Sequence, residues 1–423
     1  MIRLLIIADD FTGALDSGVH LASRGARTLV VTDAAARLAD LDPAVEVLVM
    51  DAETRHLCPE QAGKVVAHIV EQAARLGVPY IYKKTDSALR GNIGAELSAT
   101  LQAAGGEQLF FFPALPEMNR CTVDGVHYIA GTPVAQSVFG TDPFEPVTRS
   151  RVCELIAQQS DVPTTSLPPL DADSPLPCQQ GIVVMDASTE EQLLCAGRRL
   201  MEAGKLRLMA GCAGFAAVLP EILGLDGGAR PEVPRLDRRL LVLCGSVNPI
   251  TVRQLGVAEA AGFLHLHMTP RQQLEAGYWD TEEGKAQLAR WTRMLAEAGN
   301  GILDSNGPDG NEPTRRYAEE NGLEMEEVRT RIAASLGRVL AQLHADGVEG
   351  TLLITGGDTL LQCMRRIGVS ELHPICELAS GVVLSRFTLD GAQRYVISKS
   401  GGFGPPDLLV KLAQQLQNQN ASA

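Results

Sequence analysis

The stretch YKKTDSALRGNIGAEL at residues 80 to 95 crowds Lys83, Lys84, Asp86, Arg90 and Asn92 directly behind an apolar run. A plain connector has no use for that mixture. Guanidinium and ammonium groups grip a carboxylate, and Asp and Asn orient hydroxyls, so the set suits a small polyhydroxy acid. Comparable charged residues follow two other apolar runs: Asp9, Asp10 and Asp16 in ADDFTGALD, and Asn119 and Arg120 in PALPEMNRCTVDG. In the second half of the chain the equivalent positions carry glycine and small hydroxyls instead. These are Ser246 in CGSVNPIT, Gly356, Gly357, Asp358 and Thr359 in TGGDT, and Ser400, Gly401, Gly402 and Gly404 in SKSGGFG. Glycine admits close approach of backbone N–H groups, and a following helix N-terminus favours negative charge, so this second set suits phosphates.

Each cluster has a plainer alternative. Asp10 with Thr12 could cap the helix that begins near Gly13, Asp358 with Thr359 the helix after LLIT, and Asp86 or Ser87 the one after YIYKK. Arg90 could be a surface ion pair. The functional reading rests on six clusters falling at the same kind of junction and dividing their chemistry between halves. For phosphoryl transfer the candidate proton acceptors are Asp10 and Asp86, with Asp9, Lys83, Arg90 and Asn92 holding the acceptor substrate and Asp358 orienting Mg²⁺ or ribose.

The elements that must position these residues alternate short β-rich apolar runs with helical segments, which is parallel α/β construction. Strands are expected at RLLIIAD, RTLVVTD, EVLVMDA, PYIYKKT, QLFFFPA, GIVVMDA and LRLMAG, then at LLVLCG, FLHLHM, GILDS, TLLITG, GVVLSRF and RYVISKS. Helices are expected over 13–24 and 59–76, from about 249, over 283–297 and 323–345, and after TLLITG. In such sheets ligands bind beyond the carboxyl ends of the strands, where all six clusters fall. The polar passage LGLDGGARPEVPRLDRR breaks the pattern, giving domains at 1–225 and 240–423 joined by a linker at 226–239. Residues 113–150 lack periodicity and read as a lid or interface arm, and the tail QQLQNQNASA as a frayed end.

At 423 residues the chain exceeds a single core, and 45% hydrophobic with 21% charged residues excludes disorder. A formal charge of −14, with no basic tract, argues against a nucleic-acid partner. The opening MIRLLIIADD is too short to span a membrane and reads as the first core strand of a cytoplasmic protein. Nine cysteines without a CxxC pair read as reduced, mostly buried thiols. His265 and His267 share a face of one strand but lack a third ligand nearby in sequence, so a sheet-surface role is expected of them. DSNGPDGNEP imitates the start of a calcium loop, but Arg315 stands where the bidentate Glu belongs, leaving a turn or a nucleotide-side loop. Walker A, complete G-x-G-x-x-G and G-x-S-x-G motifs are missing.

Five ordered motifs, IADDFTGALDSGVHLASRGART, YKKTDSALRGNIGAEL, CGSVNPIT, TGGDT and SKSGGFG, resemble the four-carbon acid sugar kinase family nearly end to end. The resemblance implies ATP-dependent phosphorylation of D-threonate, D-erythronate or 3-oxo-tetronate at the terminal hydroxyl. It implies a sugar-acid-binding N-terminal domain and an ATP-binding C-terminal domain, each a mainly parallel sheet flanked by helices, with the reaction in an interdomain cleft. ATP contacts would fall on Ser246, on the turn from Gly356 to Thr359 and on Gly401 and Gly402, with ATP and Mg²⁺ required and a homodimer plausible. KKTDSALRGN is closer to the D-threonate branch than to the 3-oxo-tetronate branch. The competing expectations are a NAD-dependent sugar-acid oxidoreductase, which the missing dinucleotide fingerprint disfavours, and a non-catalytic sugar-acid sensor, for which no partner-binding segment is visible.

Overall fold

The sequence LLIIA in β1 (Leu4–Ala8) is buried at every position, the signature of a parallel strand covered on both faces. A computed structural model describes residues 1–142, 145–308 and 310–421, without the side chains of the last two, and separates them into units Met1–Pro231 and Glu232–Ala423.

In the first unit the strands that follow are β2 (Thr28–Val31), β3 (Val47–Asp51), β4 (Tyr80–Lys84), β5 (Gln108–Phe112), β6 (Arg120–Val123), β7 (Val126–Ile129), β8 (Thr132–Pro133), β9 (Thr164–Leu167), β10 (Gly181–Met185) and β11 (Leu208–Gly211). The helices are α1 (Phe11–Ala22), α2 (Pro59–Arg75), α3 (Ile93–Ala103), α4 (Val152–Ala157), α5 (Glu190–Glu202) and α6 (Ala213–Ile222). Eight strands form one sheet in the order β2-β3-β1-β4-β11-β5-β10-β9, every neighbouring pair parallel. Leu5, Ile7, Ile81 and Phe111 pack beneath α2, α3 and α4, while Tyr82 and Phe112 meet Phe215 of α6 on the other face, the two Phe rings stacked at 3.8 Å.

In the second unit come β12 (Leu240–Cys244), α7 (Pro249–Ala260), β13 (Leu264–His267), α8 (Pro270–Leu274), α9 (Glu282–Glu297), β14 (Gly301–Asp304), α10 (Glu312–Glu320), α11 (Met325–Ala345), β15 (Thr351–Thr355), α12 (Gly357–Arg366), β16 (Glu371–Ala379), β17 (Val382–Leu389), β18 (Ala392–Lys399) and α13 (Leu408–Ala421). Its sheet order is β13-β14-β12-β15-β18-β17-β16, parallel as far as β18 and antiparallel over the last three strands.

The fold is thus α/β with mainly parallel sheets. Each sheet has a point where neighbouring strands send their connections in opposite directions. In the first unit β1 leads toward β2 and the adjacent β4 toward β5. In the second, β12 leads toward β13 and the adjacent β15 toward β16. Such reversals open a crevice at the strand ends, and both lie at the polar clusters.

Several expectations need correction. Within 113–150, β6, β7 and β8 form a small antiparallel sheet, turned at Asp124 and Gly125, whose φ values of +50° and +73° suit a tight hairpin. Residues 143 and 144 of that segment, and Asp309 of the calcium-like loop, lie outside the described residues. The tail is no frayed end over its described part: α13 continues to Ala421, held because Leu408, Leu409, Leu412 and Leu416 bury one helical face. The strand β9 and the helices α8 and α10 were also unforeseen. All nine cysteines are free, but only Cys212, Cys244 and Cys363 are buried.

Candidate active site

At the β1/β4 reversal, Arg55 organises the carboxylates. It leaves the end of β3 and donates through Nε to Asp9 Oδ2 at 2.8 Å and through its terminal nitrogens to Asp10 at 2.7 and 3.0 Å, with Asp86 Oδ1 at 4.0 Å. Asp10 also caps α1, its Oδ1 accepting from the Gly13 N–H at 3.1 Å, so the capping alternative is realised alongside the pairing. Burial works to raise the Asp9 carboxyl, but Arg55, Lys83 and Lys84 outweigh it and hold the group below the usual carboxylate range. Asp9 Oδ1 is buried without a hydrogen-bond partner among the described residues.

Asp86 does not cap α3, whose N-cap is Asn92. Its Oδ2 accepts from Ala88 N and Arg90 Nε, both at 3.0 Å, and its Oδ1 from Arg90 Nη2 at 3.0 Å, a two-pronged pair. Burial opposes its charge, yet Arg90 and Arg55 drive its carboxyl well below the ordinary range. Arg90 is therefore no solvated surface ion pair: it also reaches Asp142 at 3.3 Å and lies, like Arg120, 5.3 Å from the Phe139 ring centre. Leu89 and Gly91 flank it with φ of +64° and +85°. His127 anchors the same loop from β7. Its Nε2–H donates to the Ser87 carbonyl at 2.9 Å and its Nδ1 accepts from Thr122 at 3.0 Å, and burial pushes the imidazole down to about 4.

Two predicted residues turn away from this surface. Lys83 is fully buried, paired with Glu96 at 2.8 Å and donating to the Lys84 carbonyl. Asn92 spends its amide N–H groups on the carbonyls of Thr54 and Leu57, both at 2.8 Å, which fixes the loop carrying Arg55. Lys84 and Arg120 are better placed to take an anion, because neither makes a salt bridge among the described residues. Lys84 donates to the Thr85 carbonyl and lies where a Cβ on Gly13 would stand 2.7 Å from its Nζ, and Arg120 donates to Ser87 Oγ. Arg55 was missed by the sequence reading; its signal was its place just beyond a strand end.

At the β12/β15 reversal the glycine and hydroxyl residues converge. A Cβ on Gly401 would stand 2.8 Å from Ser246 Oγ, and one on Gly356 3.6 Å from Ser246 N and 3.3 Å from Thr359 Oγ1. Gly356 sits at φ +102° and is the N-cap of α12, so neither Asp358 nor Thr359 caps that helix. Gly357 opens α12 and Gly402 follows Gly401 at the end of β18. Lys399 underpins the turn, donating to Thr251 Oγ1 and the carbonyls of Ser400 and Gly401 at 3.0–3.3 Å. Burial lowers its ammonium to about 8. Thr251 Oγ1 donates to the Gly401 carbonyl at 2.7 Å. Asp358 pairs with Arg329 of α11. Finally, strand register sets Asp304 of β14 opposite His267, supplying the third potential ligand that the sequence reading lacked.

Residues 4–219 match the model described as "Sugar-binding N-terminal domain" and residues 241–409 the "Nucleotide-binding C-terminal domain". A D-threonate kinase of Bordetella bronchiseptica is 30% identical over 98% of this chain and 97% of its own length. A 3-oxo-tetronate kinase of Pectobacterium atrosepticum is 24% identical over 98% and 99%. A crystal structure from Salmonella typhimurium LT2 shares the fold at a TM-score of 0.78 and 20% identity, covering 97% of this chain and 99% of that one. With paired cations and carboxylates at one strand reversal, a glycine cradle at the other, and relatives matched almost end to end, the chain belongs to the four-carbon acid sugar kinase family.

Proposed function

We propose that this chain transfers the γ-phosphoryl group of ATP to the terminal hydroxyl of D-threonate. The observation that carries the reading is the pairing of chemistries at equivalent topological points: forked cations and carboxylates at β1/β4, and a bare-backbone cradle at β12/β15. D-Threonate is preferred over 3-oxo-tetronate because the D-threonate kinase relative has the higher full-length identity, 30% against 24%.

In this reading Arg120, Arg90 and Lys84 grip the carboxylate and the entering phosphoryl charge, and Asp9 accepts from a substrate hydroxyl. Asp10 takes the proton of the attacking hydroxyl as its oxygen bonds to phosphorus and ADP departs. Asp86, whose carboxyl is held well below the ordinary range by Arg90 and Arg55, stays charged, and its part is to fix Arg90. Lys83 and Asn92 act from beneath, holding α3 and the Arg55 loop. The cradle fits a polyphosphate, since side-chain-free backbone at Gly356 and Gly401 lies beside the hydroxyls of Thr359 and Ser246, with Gly357 and Gly402 next in the chain. Mg²⁺, with Asp358 as its carboxylate, would neutralise charge on the transferring group when bound.

A coupled ADP-release screen against D- and L-threonate, D- and L-erythronate and the 3-oxo acids tests the proposal. D-Threonate should give the highest kcat/KM. Turnover of nicotinamide cofactor in place of ADP release, or no response to any four-carbon acid, would sink it.

A further inference from the structure

We infer that His265, His267 and Asp304 form a binding site for one divalent transition-metal ion of the zinc class, separate from the Mg²⁺ chemistry of phosphoryl transfer. The residues come from neighbouring parallel strands. His265 and His267 sit two apart on β13 and so share a face, and Asp304 of β14 stands opposite His267. One ligand atom from each lies within 4.8 Å of the others, and the imidazole centres are 4.0 Å apart.

The surrounding hydrogen bonds leave the right atoms free. His265 Nδ1 meets Glu259 Oε2 at 3.0 Å, and His267 Nδ1 meets the Asn306 carbonyl at 2.8 Å. A carboxylate and a carbonyl only accept, so both Nδ1 atoms carry a proton, and in the neutral rings each Nε2 keeps its lone pair. Asp304 is oriented in the same way: its Oδ1 accepts from Asn306 N at 2.9 Å and Asn306 Nδ2 at 2.7 Å, leaving Oδ2. His265 Nε2 is buried without a hydrogen-bond partner among the described residues, 3.5 Å from Asp304 Oδ2. Neutral rings facing a carboxylate oxygen can share a cation, which would take the place of a proton on His265 Nε2. Second acceptors on the far nitrogen of each ring are the arrangement that orients metal-ligating histidines.

Two imidazoles and one carboxylate suit zinc, cobalt or nickel rather than Mg²⁺, which prefers oxygen, and three protein ligands leave a fourth position for water or an anion. The consequence reaches the glycine cradle. Asn306 Nδ2 also donates to the Ser246 carbonyl at 3.0 Å, so an ion here braces the loop after β12.

The test uses the full chain, stripped with chelator, with Co²⁺ as the optical probe and Zn²⁺ as competitor. Wild type should bind one equivalent of Co²⁺ with the visible absorption of a four-coordinate nitrogen and oxygen site, displaced by Zn²⁺, and Zn²⁺ should raise its Tm. His267→Ala, at a partly exposed position, should weaken binding by at least about 100-fold, and Glu259→Gln, which leaves all three ligands in place, by about 10-fold. Metal-free circular dichroism and Tm of both variants should match wild type, which separates ligand loss from misfolding. Absence of saturable 1:1 binding to wild type, undiminished binding in folded His267→Ala, or a thiolate charge-transfer band assigning the ion to cysteine would each overturn the inference.

Discussion

At the scale of single residues, Asp10 is the most informative position. Asn is as good a helix cap as Asp, so Asp10→Asn keeps the start of α1 while removing the proposed proton acceptor. Steady-state kinetics should show kcat reduced by about 10²- to 10⁴-fold with KM for ATP little changed. Arg90→Ala should raise KM for the acid at least about tenfold, the size of a lost charge-assisted hydrogen bond, and leave KM for ATP alone. Gly401→Ala should do the reverse, because the added methyl would crowd Ser246 Oγ; unchanged ATP affinity by calorimetry would count against the cradle. The charged types were legible in the sequence because they stood at strand ends. Their pairings were not: nothing local says that Lys83 is consumed by Glu96 or Asn92 by the carbonyls of residues 54 and 57. Arg55 lacked a motif around it and acquires its importance only from three distant aspartates.

At the scale of elements, the loop from Asp86 to Gly91 depends on β7 through His127. This imidazole is buried and neutral, with a folded value of about 4 against 6.5 in the unfolded chain. Its contribution is fully present above pH 6.5 and is lost as pH falls toward 4, because there the unfolded chain binds the extra proton. Chemical denaturation should therefore show stability declining across that window by up to roughly 3 kcal/mol, and His127→Gln should flatten the decline. Continuous apolar runs such as LLIIA made the parallel strands readable, since both of their faces are covered. The hairpin of β6 and β7 escaped notice despite its Asp-Gly turn, because its strands are short and partly exposed and lack an apolar run. The end of α13 was misjudged from its amides, when the leucine spacing inside the same stretch decided the matter.

At the scale of the whole molecule, two features of the sequence announced two units: its length, and the Gly/Pro passage near residue 230. Residues 227–233 are exposed and carry no helix or strand. Limited proteolysis should therefore cut first within 226–239 and leave two resistant fragments; first cleavage inside either sheet would refute the proposed boundary. The bracketing of Arg90 by two left-handed residues bears on how the intact protein meets its ligand. Swinging the guanidinium mount would require both flanking backbone positions to flip together, and Leu89 is buried against the core. If Arg90 grips the acid as proposed, the grip is set before the acid arrives, so stopped-flow association should be single-exponential and linear in acid concentration, without a slow isomerisation phase at saturation.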